Sequence, residues 1–326
     1  MNKDYIKKPL YIEEFRLSEY IRGICKYAGS KKRLLFYILY MIEQCQTQTF
    51  IDLCGGSGIV SMNVRAPRKV INDISVVHSV IYKLLSDENK SYALRDKIYY
   101  EGFTEEDYIS AYSYWYTRKE NSLNNFYDDE LVTAAYYGLI LLWAARLGND
   151  LNFRISPELL KEKPCDQIVQ SLNNEWYTRK ENILSWNVGL DGAGVYNNSL
   201  FDILEYLAAH PENIKERTTI YCDPPYLSGQ SNKHKTSDST YSCGSFGEDK
   251  HREMLTLLDR LPRDKCRVII SGYDSELYDD VLSSDGFGAW TKSFVKELTV
   301  NCGDGNHLKN NHRSTAQEFF YMNWHI

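Results

Sequence analysis

Short apolar runs that end in glycine, proline or acidic residues recur along the chain and predict the strands of a parallel sheet. Thr49-Phe-Ile-Asp-Leu53 leads into the glycine turn Cys54-Gly-Gly-Ser-Gly58, and the helix-forming pattern of Ile59-Val-Ser-Met62 follows directly. A second run, Lys69-Val-Ile-Asn-Asp73, precedes the helical pattern of Val76–Leu85. Because strands that alternate with helices pair in parallel through right-handed crossovers, these segments predict one βαβ unit of a doubly wound sheet.

The pattern changes between residues 87 and 186, where tyrosine-rich helical stretches replace the strands. Leu131–Leu147 is apolar nearly all round, which predicts a buried helix. Further strands and helices are predicted at Gly194–Ser199, Leu200–His210, Thr218–Cys222, Lys250–Leu261, Cys266–Ser271 and Glu318–Asn323. The expected fold is α/β, a Rossmann-like doubly wound sheet formed by residues 1–86 and 187–326, with a mostly helical insertion at residues 87–186.

The composition is that of an ordinary globular protein. The chain has 326 residues, 43% hydrophobic and 25% charged, which allows a sizeable core and argues against disorder. The eight cysteines contain no CxxC, and no His/Cys/Asp cluster has metal-ligand spacing, so neither a disulfide framework nor a metal site is predicted. The N-terminus lacks a signal-peptide pattern, and the longest apolar run, Ala134–Ala145, is about half of a bilayer span. We therefore expect a soluble cytoplasmic protein with no membrane partner.

The net charge complicates any interpretation that involves nucleic acid. The sequence has 38 basic and 44 acidic residues, a formal net charge of −6. An acidic chain repels phosphate at long range unless its basic residues gather on one face. The basic residues form only short clusters, so composition alone neither supports nor excludes DNA binding.

The glycine turn after the first predicted strand has the pattern of a cofactor site. Glycines at a strand-to-helix turn allow close backbone approach to a ligand, and the end of the next strand places Asp73 where it could accept hydrogen bonds from a ribose. A full dinucleotide fingerprint would have a third glycine at position 61, where this chain has Ser61. The turn and Asp73 together favour a cofactor that contains a nucleoside.

The segment Asp223-Pro224-Pro225-Tyr226 is the sharper chemical signal. It follows the strand Thr218–Cys222, at the edge where open α/β sheets bind ligands. Asp223 offers a carboxylate, the prolines supply carbonyl acceptors without competing N–H donors, and Tyr226 offers a ring for stacking on a planar base. This combination suits an amino group on a planar ring, whose lone pair could then attack an electrophilic methyl group.

The order of these motifs along nearly the whole chain resembles that of Dam-type (alpha group) DNA adenine N6-methyltransferases. The resemblance rests on the glycine turn, the Asp-Pro-Pro-Tyr segment and the helical insertion between them. Further motifs that agree with the family are Lys26-Tyr-Ala-Gly-Ser-Lys31, Phe246-x-x-x-x-His251, Ser271-Gly-Tyr-Asp274 and Arg313-x-x-x-x-Glu318-x-x-x-x-Asn323. The resemblance implies site-specific methyl transfer from S-adenosylmethionine to adenine N6 in double-stranded DNA, after the base is rotated out of the helix.

The resemblance also implies roles for individual residues. Asp223 and the Pro224 carbonyl would accept hydrogen bonds from the target amine, Pro225 would complete the catalytic segment, and Tyr226 would stack on the base. Residues 1–86 and 187–326 would form the S-adenosylmethionine domain, and residues 87–186 the target-recognition domain. The implied cofactor residues are Lys26, Tyr27, Lys31, Asp52, Gly56, Gly58 and Asp73, and the implied DNA contacts are Arg146, Asn149 and Asn152.

The chain departs from the family pattern at two places. The family usually has tryptophan at the position of Tyr27, and an Asp-Phe pair where this chain has Ser199-Leu200. The second departure affects the edge of the pocket for the cofactor adenine and leaves the reaction unaffected.

Several alternatives remain open from the residues themselves. Methylation of cytosine N4 or of a protein glutamine would use a similar segment, usually with serine or asparagine in place of Asp223. A nicotinamide-dependent oxidoreductase would need the missing third glycine, and a non-catalytic DNA-binding module would not need an intact Asp223–Tyr226 segment. The repeated heptapeptide Trp-Tyr-Thr-Arg-Lys-Glu-Asn at 115–121 and 176–182 is either a pair of DNA contacts or a coincidence of two helix ends. The DNA recognition sequence and any restriction endonuclease partner are not determined by the sequence.

Overall fold

The computed structural model describes residues 6–9, 20–27, 29–99, 103–118, 121–144, 166–227, 246–300 and 314–325. Within these residues one eight-stranded sheet has the order β1-β7-β8-β6-β5-β2-β3-β4. All neighbouring strands are parallel except β8, which runs antiparallel to both β6 and β7. The strands are β1 (Ile6–Pro9), β2 (Thr49–Asp52), β3 (Arg68–Asn72), β4 (Gly194–Tyr196), β5 (Thr218–Cys222), β6 (Cys266–Tyr273), β7 (Thr291–Val300) and β8 (Ser314–Met322).

The described helices follow the predicted order along the chain, and β4 separates them into two groups. The first group, which comes before β4 in the chain and includes the helices of the insertion, is α1 (Leu35–Gln44), α2 (Ile59–Asn63), α3 (Val76–Leu85), α4 (Glu88–Tyr99), α5 (Glu105–Tyr116), α6 (Leu131–Ala144), α7 (Asp166–Arg179) and α8 (Ile183–Leu190). The second group is α9 (Leu200–Ala209), α10 (Glu248–Asp259) and α11 (Glu276–Leu282).

Apolar side chains cover both faces of the sheet, as a doubly wound fold requires. In β5 the side chain of Tyr221 packs with α1 on one face, whereas Ile220 and Cys222 pack with α9 and α10 on the other. The same alternation separates Ile269 from Val268 in β6. Because adjacent residues of a strand point to opposite faces, these apolar runs are buried on both sides. The predicted Rossmann-like fold class is confirmed.

The helices between β3 and β4 form a third core on α3. The apolar helix α6 packs against α3 and α5, and Ala134, Ala135 and Leu139 are fully buried there. Glycine at position 138 allows the close contact, because a Cβ there would lie 3.0 Å from Val77 Cγ1. The prediction of Leu131–Leu147 is met up to Ala144, and its remaining residues lie outside the described ranges. The assignment of residues 87–186 as a separate domain stays a prediction.

The sequence also makes predictions about cysteines, metal ligands and membrane-spanning helices. The five cysteines among the described residues are all free thiols. In the same ranges no cluster of three or more His, Cys, Asp or Glu residues is placed to hold a metal ion. None of the helices in the described part of the chain has the length and apolar character needed to cross a bilayer.

Candidate active site at the switch point of the sheet

The strand order places a topological switch point between β2 and β5. The chain runs outward from β2 through β3 to β4, then returns to β5 on the other side of β2. Ligands of open α/β sheets bind at the carboxyl ends of the strands at such a point. Asp52 of β2 pairs with Tyr221 of β5, so the glycine turn and Asp223 leave the sheet side by side.

A single open cleft joins these two segments. Its walls include the turn around Gly56, Asp73 after β3, and the whole segment Asp223–Tyr226. The cleft contains about 1120 Å³ of space outside protein atoms, part of it open to solvent. This convergence is the central geometric fact of the site, because it brings the predicted cofactor residues and the predicted catalytic segment to one cavity.

The glycine turn has a backbone that only glycine adopts without strain. Gly56 and Gly58 have φ values of +54° and +72°. The Gly58 N–H donates to the Gly55 carbonyl over 2.8 Å, which closes the turn immediately before α2. A Cβ on Gly55 would lie 2.8 Å from Ile71 Cγ1. The turn therefore presents bare backbone to the cleft, and this fits a ligand that must approach closely.

Asp73 holds the turn from the side of β3. One of its carboxylate oxygens accepts from the Gly56 N–H over 2.7 Å, and the other accepts from the Ser75 N–H over 2.8 Å. Each oxygen keeps a further lone pair, which is available to a ribose hydroxyl. The buried carboxylate thus fixes the turn and faces the cleft together with it.

Asp52 lies beneath the turn and is almost fully buried. Its carboxylate accepts from the Ser61 hydroxyl over 2.6 Å and from the Cys54 N–H over 3.3 Å. Burial raises the pKa of Asp52 to about 7, although both hydrogen bonds act in the opposite direction. Ser61, which stands in place of the third glycine, therefore has a specific function as the partner of this carboxyl group.

Tyr27 covers the turn from the N-terminal segment. The Ile24 N–H donates to the Ser57 carbonyl over 2.9 Å, which fixes that segment against the turn. The Tyr27 ring lies edge-on to His78 at 5.6 Å, and a Cβ on Gly56 would lie 3.1 Å from the same tyrosine ring. An aromatic side chain thus occupies the position where the family usually has tryptophan.

The Asp223 carboxylate forms an ion pair with Lys31, which lies in the N-terminal part of the chain. Lys31, only 4% exposed, places Nζ 2.7 Å from Asp223 Oδ1 and donates to the Tyr226 hydroxyl over 2.5 Å. That hydroxyl donates in turn to Glu318 Oε1 over 3.1 Å. Burial raises the pKa of Asp223, and the Lys31 ammonium partly offsets this shift. The segment Asp223–Tyr226 is therefore held by a chain of buried polar groups.

Aromatic and histidine side chains pack around the segment Asp223–Tyr226. The rings of Tyr226 and Tyr273 lie 4.3 Å apart at 54°. His251 is buried behind the segment, its Nδ1 is 2.8 Å from the Tyr278 hydroxyl, and burial lowers its pKa to about 4. A buried, neutral histidine fits a packing role rather than a contact with DNA phosphate.

The structure brings most of the predicted site residues to the cleft. Tyr27, Lys31, Asp52, Gly56 and Asp73 line it together with all four residues of the catalytic segment, and Gly58 closes the turn. Lys26, in contrast, is not among the described residues that line the cleft. Its side chain is 60% exposed and forms an ion pair with Glu175 of α7. Arg146, Asn149 and Asn152 lie outside the described residues.

Two features of the site have no role assigned by the sequence patterns. The first is Glu318, which belongs to a recognised motif but contacts Tyr226 across a separation of 92 residues. The second is the loop after β4, where the Asn72 amide donates to the Asn198 carbonyl over 3.0 Å and the Asn198 N–H donates back to Asn72 over 2.9 Å.

The tryptophan and the tyrosine of the heptapeptide repeat have similar environments in the two copies, whereas Lys119 and Glu120 of the first copy lie outside the described residues. In each copy the tryptophan faces inward and the tyrosine is exposed, as in Trp115 with Tyr116 and Trp176 with Tyr177. The copies lie at the C-terminal ends of α5 and α7. This agrees with the interpretation of two similar helix ends.

The fold and this cleft define a Rossmann-like protein. Its site combines a glycine turn after β2 with the segment Asp223–Tyr226 after β5, in which the prolines have carbonyl acceptors but no N–H donors. Residues 27–150 match the model of the D12 class N6 adenine-specific DNA methyltransferase family. This match confirms the resemblance found in the sequence. It includes the glycine turn and ends before Asp223.

Two further proteins are similar to this chain. The modification methylase StsI of Streptococcus sanguinis is 22% identical over 326 residues, which cover 96% of this chain and 44% of that protein. The chain thus spans less than half the length of this curated relative. The rRNA methyltransferase aviRa from Streptomyces viridochromogenes superposes with a TM-score of 0.33 at 12% identity, over 91% of this chain and 86% of that one.

Proposed function

We propose that this protein transfers a methyl group from S-adenosylmethionine to the N6 amino group of adenine in duplex DNA. The observation that carries the proposal is the convergence of the glycine turn and Asp223–Tyr226 on one cleft. The family match over residues 27–150 and the likeness to a modification methylase support the same reaction class. The insertion at residues 87–186 is the proposed target-recognition region, with Arg146, Asn149 and Asn152 as proposed DNA contacts.

The residues of the turn fit the cofactor. The bare backbone at Gly56 and Gly58 would admit the methionine end, with Asp52 beneath it, and Asp73 would accept hydrogen bonds from the ribose hydroxyls. When bound, S-adenosylmethionine supplies an electrophilic methyl group on a sulfonium. The aromatic ring of Tyr27 would close this part of the cleft.

The catalytic segment would position the target base. A base within a duplex does not reach the cleft, so it must first rotate out of the stack. Asp223 and the Pro224 carbonyl would accept hydrogen bonds from the two N6–H groups, which would direct the nitrogen lone pair at the methyl carbon, and Tyr226 would stack on the ring. A C–N bond forms as the S–C bond breaks, and N6 then releases one proton. Positioning of the two reactants accounts for most of the acceleration.

The experiment is methyl transfer from tritiated S-adenosylmethionine to duplex DNA, followed by nucleoside analysis. We expect the label in N6-methyladenine, and a loss of at least about 10²-fold in rate for Asp223→Ala, because an acceptor of the reacting amine is removed. Asp264→Ala removes an exposed carboxylate far along the chain from the segment and serves as the matched control.

Three outcomes would contradict the proposal. Label on cytosine N4 would assign the alternative base, and label on protein glutamine would assign a protein substrate. A wild-type protein that binds neither S-adenosylmethionine nor S-adenosylhomocysteine in calorimetry would contradict the cofactor itself. Circular dichroism of Asp223→Ala separates loss of chemistry from loss of folding.

A further inference from the structure

A chain of four polar groups lies behind the catalytic carboxylate. It runs from Asp223 through Lys31 and the Tyr226 hydroxyl to Glu318, with successive distances of 2.7, 2.5 and 3.1 Å. Lys31 and Glu318 are 4% and 2% exposed. Burial of a charged group is costly, so a second carboxylate at this depth requires a reason beyond support of a tyrosine ring.

The hydrogen bonds of Lys31 leave its ammonium fully occupied. Its three donors go to Asp223 Oδ1, to the Tyr226 hydroxyl and, over 3.1 Å, to the Gly29 carbonyl. Because Tyr226 accepts from Lys31, the tyrosine proton points to Glu318. The target amine therefore meets an Asp223 carboxylate that already has a cationic partner on one oxygen.

The charges of the cluster do not cancel. One ammonium faces two carboxylates, which gives a net charge of −1 when all three are ionised. Burial raises the pKa of both Asp223 and Glu318, and Lys31 acts against that shift at both positions. The phenols that face the cluster are neutral, since burial raises the pKa of Tyr273 to about 12 and those of Tyr221 and Tyr226 well above the usual range.

We infer that Glu318 is a positioning residue that supplies the second counter-charge of Lys31 and gives the cluster of Asp223, Lys31 and Glu318 a net charge of −1. This inference rests on the proposed function. When the target amine donates a hydrogen bond to the Asp223 carboxylate, Glu318 keeps the Lys31 ammonium in place. It does so through the Tyr226 hydroxyl, which accepts from Lys31 and donates to Glu318. The remaining negative charge matches the positive charge of the sulfonium, and then that of the methylated amine until its proton leaves.

The test compares two ligands that differ in one charge. S-adenosylmethionine carries a methyl group on a positively charged sulfur, whereas S-adenosylhomocysteine lacks this methyl group and has a neutral sulfur; the two molecules are otherwise alike. We expect Glu318→Gln to weaken binding of the cationic ligand relative to the neutral one by about tenfold in calorimetry. Glutamine keeps an acceptor for the Tyr226 hydroxyl, so a purely structural role would change both affinities together.

The matched variants change charge in other ways. Glu318→Asp retains the carboxylate and is expected to keep the wild-type affinity ratio. Glu297→Gln removes an exposed carboxylate of β7 and is expected to leave the ratio unchanged. Lys31→Met removes the ammonium, so the preference for the cationic ligand should be equal to or greater than that of wild type, which tests the inference even where Glu318→Gln does not fold.

Each result has a defined meaning. An unchanged ratio in Glu318→Gln, or a reduced preference for the cation in Lys31→Met, overturns the inference while the proposed function stands. A wild-type protein that binds neither ligand overturns both. A ratio that falls in Glu318→Gln and is restored in Glu318→Asp supports the counter-charge role.

Discussion

At the scale of single residues, Asp52 is a buried titratable group beneath the glycine turn. Its pKa is raised from 3.8 to about 7 by burial, so the folded protein holds this proton more tightly than the unfolded chain does. For an acid with a raised pKa, stability is lost as the pH rises from the unfolded pKa through the folded one. The ionised form of Asp52 is therefore a destabilising feature above about pH 7.

We predict that Asp52→Asn removes this pH dependence. Between pH 4 and pH 8 the wild-type free energy of unfolding should fall by up to about 4 kcal/mol relative to that of the variant. Urea denaturation of both proteins at the two pH values measures the difference. Asparagine retains an acceptor for the Ser61 hydroxyl, and parallel pH profiles for the two proteins would contradict the assignment.

At the scale of secondary structure, α2 is only five residues long, and its position depends on close contact with α8. Gly189 of α8 lies where a Cβ would be 2.7 Å from the Met62 carbonyl oxygen of α2. The Lys69 ammonium donates to the Gly189 carbonyl over 2.8 Å and to the Ser61 carbonyl over 3.2 Å. Because Gly58 is the N-cap of α2, this contact also fixes the C-terminal side of the glycine turn.

We predict that Gly189→Ala destabilises the protein by about 1 to 3 kcal/mol, through overpacking of two backbones. Alanine has a higher helix propensity than glycine, so propensity alone predicts a small gain in stability. A measured loss of stability would therefore identify the clash. Gly194→Ala is the control, because the nearest atoms to its Cβ are at an ordinary contact distance of 3.6 Å. Equal stability of the two variants in thermal denaturation would contradict close α2–α8 packing.

At the scale of the whole molecule, the net charge of −6 opposes DNA at long range. The proposed DNA binding would therefore depend on basic groups gathered locally, and each phosphate contact would release counterions. We predict that the affinity for a DNA duplex falls at least about tenfold between 50 and 200 mM KCl, measured by fluorescence anisotropy with S-adenosylhomocysteine present. Affinity that does not change with salt would contradict phosphate contacts as the main source of binding.

The sequence by itself determined the local elements of the site. The glycine turn, Asp73 and Asp223-Pro-Pro-Tyr226 are recognisable because their backbone requirements are set by neighbouring residues: positive φ at Gly56 and Gly58, and donor-free carbonyls at the prolines. The strand at Thr218–Cys222 and the helix at Val76–Leu85 agree with the structure in their bounds. The helix is clear because apolar residues recur at helical spacing, and the strand is clear because its apolar end, Ile220-Tyr-Cys222, directly precedes Asp223-Pro224.

Only the tertiary structure decided which distant groups meet. The strands β1 and β7 were not predicted, and β7 contains a buried Lys292 paired with Asp274 and Asp279, a pattern that does not resemble an apolar strand. Lys26 and Lys31 belong to one hexapeptide, yet one pairs with Glu175 on α7 and the other with Asp223. Such pairings depend on long-range strand order and on burial, because a lysine's role is set by the charges that the fold brings to it, and no local pattern contains that information.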